Sequence, residues 1–244
     1  MVSIRERKVL LVELGIVAII SYWWFFIQTN VNPVLGNIYT NITIGAAIFF
    51  FADYLFGTKS IKLINPKNSW GKVFLIGIVA YIILLASSQI ATIFSEVVPV
   101  TELLKLLASS APVFSQSPVI NFLTFGVMIA YIETYALFVI GFDLLASIFN
   151  VQINKNNLLN PKMILIMLGI AFVFMLLHVT AKGIDSEAAL ILVFLMAIIS
   201  LVTVAIYQDA RPAIILHILA NSIASTALFS VSPAINFLPL LVGG

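Results

Sequence analysis

Seven apolar runs, each about long enough to cross a bilayer as a helix, constrain this chain more than any other feature. They cover roughly residues 9 to 28, 37 to 57, 71 to 93, 119 to 149, 162 to 181, 187 to 208 and 211 to 229. About 20 apolar residues in an α-helix span a hydrocarbon core of about 30 Å. Turn-forming stretches mark the breaks: Asn30-Val31-Asn32-Pro33, then Lys59 to Lys72 with Asn65-Pro66 inside it, then Asn154 to Pro161. Lipid offers the backbone no hydrogen bonds, so such runs must satisfy their own polar groups as helices. The expected fold is therefore all-α, a polytopic transmembrane helical bundle of about seven spans, with residues 1–244 forming a single membrane domain. Composition agrees, with 62% hydrophobic and 9% charged residues, where soluble domains are about half apolar and a quarter charged.

Three stretches need separate treatment. The basic start Arg5-Glu6-Arg7-Lys8 followed by an apolar run resembles a secretory signal. However, the run continues to Gln28, ends in Trp23-Trp24-Phe25-Phe26 and has no small-residue cleavage site, so it reads as a retained first span. The fourth run, 31 residues long, would extend roughly 46 Å as a straight α-helix and must tilt, kink or protrude. Between the third and fourth runs, Val98 to Leu107 reads as a short amphipathic helix capped by Thr101, lying along the surface. The apolar tail beyond Pro233 is too short for a full crossing and suits a re-entrant or partial span.

Charge supplies an independent test of this segmentation, because cytoplasmic loops carry the excess of Lys and Arg. Arg5, Arg7, Lys8, Lys59, Lys62, Lys67, Lys72, Lys155, Lys162 and Arg211 fall on one side and only Lys105 and Lys182 on the other. Ten against two places the N-terminus in the cytoplasm. The net charge of +2, dispersed over several loops, leaves no footprint for nucleic acid. With no cysteine, disulfides, thiolate nucleophiles and thiolate metal sites are excluded together. No Walker loop, His-Glu-x-x-His zincin motif, Gly-x-Ser-x-Gly elbow or dinucleotide fingerprint is present. The expected partners at this point are membrane lipids.

Four polar residues lie deep in apolar runs, where each costs a few kcal/mol on insertion scales and needs a reason. Glu133 sits near the middle of the fourth run, His178 in the fifth, and His217 and Asn221 in the seventh. The i, i+4 spacing of the last two puts them on one helix face, about 6 Å apart. Each alone has a structural explanation, as an interhelical contact or a satisfied core residue. Together they make a complementary set. A carboxylate and an imidazole can share and move a proton, and a second imidazole with an amide can donate to a developing oxyanion. Asp53, Asp143 and Glu13 lie nearer span ends and read as structural, through snorkelling or a basic partner.

The order Glu133, then Phe174-Met175-Leu176-Leu177-His178, then His217-Ile218-Leu219-Ala220-Asn221 resembles the CPBP family of intramembrane proteases, also called the Abi or CAAX-protease family. That family's pattern is Glu-Glu-x-x-x-Arg, Phe-x-x-x-His and His-x-x-x-Asn or Asp. The resemblance covers residues 119–229, which would hold the catalytic core. It implies an intramembrane endopeptidase in which Glu133 and His178 activate a water while His217 and Asn221 hold the oxyanion. On this reading no cofactor is required. A zinc ion on Glu133, His178 and His217 is the alternative, since one carboxylate and two imidazoles form a three-ligand set with an open position. The first motif departs from the family: Ile132 precedes Glu133, Thr134 follows it, and Leu137 or Phe138 stands where an arginine is expected. That departure leaves two other expectations open, an inactive relative acting as a membrane scaffold or immunity protein, and a proton-coupled transporter using the same groups as a relay.

One quantity stands against the convergence of these residues. At about 1.5 Å per residue, His178 lies roughly 24 Å from the inner end of its span but His217 only roughly 9 Å from the inner end of its own. Equal, parallel helices would keep them apart. Either the seventh helix starts deep, with Asp209 and Arg211 lining a wet cavity, or the helices tilt strongly.

Overall fold

The computed structural model describes residues 61–62, 64–89, 91, 93, 122–182 and 187–230. The first two runs, the amphipathic segment at 98–107 and the C-terminal tail lie outside the described residues. Among the described residues all regular secondary structure is helical, and one isolated parallel bridge, Lys62 to Asp209, is present.

Five helices make up this part. Helix α1 is Trp70–Ala86. Helix α2, residues 122–148, is built from four consecutive pieces: Phe122–Ile129 and Thr134–Gly141 wind as π-helix, and Ala130–Glu133 and Phe142–Ile148 as α-helix. Helices α3, α4 and α5 are Pro161–Lys182, Glu187–Tyr207 and Arg211–Ser230. The stretches Gly126–Ile148, Pro161–His178 and Ala188–Tyr207 are long and apolar enough to cross a membrane, whereas α1 is a shorter apolar helix. In the over-long fourth run the π winding, whose i to i+5 bonds give wider turns and a smaller rise per residue than α-helix, makes the helix shorter than a straight α-helix of the same residues.

Local chemistry sets the ends. Ser69 caps α1 by accepting from the Lys72 backbone N–H, and Asn160, just before Pro161 at the first position of α3, accepts from the Lys162 N–H at 3.0 Å. Helix α2 stops at Asn150, whose φ of 53° takes the left-handed region. There the Val151 N–H bonds to the Ala146 carbonyl and the Asn150 N–H to the Ser147 carbonyl, the paired closure of a Schellman motif.

Helix α5 is the central element, packed against α1, α2 and α4, while α3 packs on α4 and the second half of α2. The core joins Phe138 and Phe142 of α2, Met163, Ile170 and Phe174 of α3, Leu201 and Val204 of α4, and Leu216 of α5. Outward faces are equally apolar: Phe74, Leu75, Ile78 and Ile82 on α1 and Leu165, Leu168 and Phe172 on α3 are exposed. A helix that is apolar on both its packed and open faces belongs in lipid, because water would penalise such a surface. Lipid removes most of the hydrophobic drive between helices, so close packing has to hold them together. Gly77 shows how close. A Cβ placed there would lie 2.6 Å from Ile215 Cγ2 and 3.1 Å from the Pro212 carbonyl, so α1 and α5 touch backbone to side chain. At Gly126 of α2 the same construction meets Ser222 Oγ of α5 at 2.9 Å.

Three of the basic loops meet at one end of the bundle, as the charge alternation requires. Gln208 and Ala210 exchange backbone hydrogen bonds with Lys62, and the Gln208 side chain donates to the Ile153 carbonyl at 2.9 Å. A buried ion pair locks this end. Arg211 reaches Asp209 through two parallel bonds, Nε to Oδ1 at 3.0 Å and Nη2 to Oδ2 at 2.7 Å. Its Nη2 also donates to the carbonyls of Asn65 and Asn68, and its guanidinium lies 4.6 Å from the centre of the Trp70 ring. Asn68 donates in turn to Asp209 Oδ2 at 3.1 Å. Asp209 and Arg211 are 0% and 6% exposed, so they tie the 61–69 loop to the start of α5 and do not line a wet cavity. Asp143 is also buried, at 2% exposure, and does not snorkel to the surface.

Candidate functional site

Glu133 closes the short α-helical piece of α2, and Thr134 opens the wide winding that follows. From α5, His217 faces this junction. Its Nε2 lies 3.4 Å from Glu133 Oε2, within ion-pair range though long for a hydrogen bond. Its Nδ1 lies 3.0 Å from Thr134 Oγ1. His178 enters from α3, with Nδ1 2.9 Å from the Phe174 carbonyl one turn earlier on the same helix. One donor atom from each of Glu133, His178 and His217 can be chosen so that all lie within 4.8 Å of one another. Three helices, far apart in sequence, thus place a carboxylate and two imidazoles around one point.

Aromatic rings build the wall behind them. The Phe174 ring centre is 4.4 Å from that of His178 and 5.5 Å from that of His217, the second contact edge-on at 81°. Phe138 backs Phe174 at 4.9 Å. These contacts lock the imidazoles in rotation and keep the local dielectric low, which strengthens every charge interaction in the site. His217 and Thr134 are wholly buried, His178 is 3% exposed, and the Glu133 side chain retains 11%. Glu133 is the least buried of the three.

The depth mismatch does not keep the three residues apart. His178 stands 17 residues beyond Pro161 and His217 six beyond Arg211, yet their ring nitrogens share one cluster. At about 1.5 Å per residue the offset is roughly 16 Å, so α3 and α5 cannot run level and parallel. Asn221, the fourth expected residue, is half-buried one turn beyond His217 on α5.

The same three donor atoms could hold a metal ion. Zinc bound at about 2.0–2.1 Å sets neighbouring ligands about 3.4 Å apart, so the widest pair here would close by up to about 1.4 Å. The sequence reading did not assign roles to Thr134 or to the ring of Phe138. A hydroxyl beside the one mid-run glutamate was the available signal for Thr134. Phe138 is one of 19 phenylalanines and carried none.

Helices able to cross a membrane, surrounding a buried Glu–His–His cluster, define the class of this protein as a helical membrane protein with a polar site inside its bundle. Comparison of the chain with models of known families, with curated proteins and with solved structures gave no match.

Proposed function

We propose that the chain is an intramembrane endopeptidase that hydrolyses a membrane-associated or lipidated peptide, in the manner of the CPBP proteases its motifs resemble. The convergence of Glu133, His178 and His217 within 4.8 Å in a buried site carries this reading. In the reaction, Glu133 with His178 takes a proton from a water as its oxygen bonds to the peptide carbonyl carbon. The carbonyl π electrons move to the oxygen, and His217 with Asn221 donates hydrogen bonds to the resulting oxyanion. As the carbonyl re-forms, the C–N bond breaks and the proton held by the Glu133–His178 pair passes to the leaving nitrogen. On this reading the chain is a multi-pass protein with its N-terminus in the cytoplasm and the basic end, with Lys62, Lys67, Lys72, Lys155 and Lys162, on that same side.

Purified protein in liposomes, given membrane-anchored peptides and followed by mass spectrometry of the products, tests the proposal. Glu133→Gln should lower the cleavage rate at least 10²-fold, the usual scale of a lost general base. Cleavage unchanged in Glu133→Gln refutes the assignment. The ligand-like grouping of the three donors favours one further reading, in which Glu133, His178 and His217 would hold a zinc ion that would supply Lewis-acid activation of a water.

A further inference from the structure

We infer that the two histidines are held as opposite tautomers, His178 with its proton on Nδ1 and His217 with its proton on Nε2, and that Thr134 is the positioning residue that fixes the second. The His178 assignment follows from its partner. Nδ1 is 2.9 Å from the Phe174 carbonyl oxygen, and a carbonyl only accepts, so Nδ1 carries the hydrogen and Nε2 of the neutral ring presents a lone pair.

For His217 the partner of Nδ1 is a hydroxyl, which can donate or accept, and the opposite ring nitrogen decides. Nε2 faces Glu133 Oε2 at 3.4 Å. At that separation the two groups form an ion-pair contact and not a hydrogen bond, and the electrostatics still favour an N–H over a lone pair beside the carboxylate. Nε2 therefore carries the hydrogen, Nδ1 accepts, and Thr134 donates to it. The hydroxyl is available for that task. Thr203, on α4, spends its own on the carbonyl one turn back, with Oγ1 2.6 Å from Ile199 O, whereas the Thr134 side chain bonds to His217. Its backbone N–H is directed to the Ala130 and Tyr131 carbonyls at the change of winding.

The consequence for catalysis rests on the hydrolytic reading above, although the tautomers themselves do not. A ring with a bare Nε2 is equipped as a base, and a ring with Nε2–H is equipped to donate to an oxyanion. The same pair of side chains thus divides into two roles through what holds the remote nitrogen of each. Metal binding would require the reverse at His217, with a bare Nε2 toward the ion and Nδ1–H donating to Thr134.

Solid-state NMR of the protein in liposomes at neutral pH, with ¹⁵N-labelled histidine assigned through neighbouring residues, reads both tautomers directly. The expected result is a protonated Nδ1 and bare Nε2 at His178, and the reverse at His217. Thr134→Val should change the His217 ring signals and lower kcat 10- to 100-fold with KM unchanged, and Thr134→Ser should restore both. A His217 that carries its proton on Nδ1, or on both nitrogens, overturns the inference. So does a Thr134→Val protein whose His217 signals match the wild type. If the wild-type tautomers are as stated but no peptide is cleaved, the assignment is supported and the hydrolytic reading falls alone.

Discussion

Replacing Arg211 with methionine should cost far more than the loss of one surface ion pair, because of what it leaves behind. The guanidinium fills a pocket in which its partner, Asp209, is wholly buried, and it satisfies the Asn65 and Asn68 carbonyls as well. After Arg211→Met, Asp209 keeps the Asn68 amide and the residue-211 backbone N–H but no counter-charge. Stranding a buried charge in this way costs about 3–5 kcal/mol, while loss of the stacking on Trp70 adds about 1 kcal/mol. Asp209→Asn combined with Arg211→Met removes both charges and should recover at least half of that loss, leaving mainly the two deprived carbonyls. The measurement is reversible unfolding in mixed micelles for wild type, both single variants and the double variant, analysed as a double-mutant cycle. A coupling of about 2 kcal/mol or more is expected. An Arg211→Met loss below about 1 kcal/mol, or a double variant no more stable than that single, would show that the clamp does not hold the 61–69 loop to α5.

Gly77→Ala tests whether packing at one side of α5 controls the site. Its new methyl would need Ile215 to retreat by about 1 Å, at about 1–3 kcal/mol of overpacking, against up to about 1 kcal/mol gained in helix propensity. Because His217 is two residues from Ile215 on the same helix, cleavage should fall on the order of 10²-fold, and full activity in Gly77→Ala would show that α5 does not transmit the shift. For metal dependence, the metal-free reading expects activity to survive exhaustive chelation. Stoichiometric zinc in the purified protein, lost together with activity on chelation and absent from His217→Gln, would instead establish the zinc reading.

Hydropathy made part of this molecule legible. Each of the five runs from 71 onward holds a helix, and three of them, Gly126–Ile148, Pro161–His178 and Ala188–Tyr207, are long and apolar enough to cross a membrane, because a bilayer imposes its thickness on sequence as a count of apolar residues. The charge alternation likewise anticipated that loops 61–69, 151–160 and 208–210 share an end. Glu133, His178 and His217 stood out because an ionisable group in a span is costly and therefore conspicuous. Rotation about the helix axes was not legible. Whether Thr134 faces the bundle depends on the winding before it, and nothing in its residue type announces that. Asn65 marked a turn in the sequence, but its carbonyl and that of Asn68 also receive Arg211, a partner more than 140 residues away. In one of two alternatives, Asp209 and Arg211 were expected to line a wet cavity. Proximity in sequence could not reveal that they pair with each other in a closed pocket.

The alternating winding of α2 has a consequence for how its glutamate is aimed. One residue of α-helix turns the chain by about 100°, so each wide stretch stores a different angular advance from the α-helix it replaces. Glu133 sits between two of them. Its bearing toward the histidines is consequently set like a dial by the number of residues wound on each side, as well as by the identity of the residue at 133. Loss of a single residue from 139–141 would leave every side chain of the site in the sequence and still swing the end of α2 out of register with the helices it packs against, shifting the bearing of Glu133 toward the two histidines.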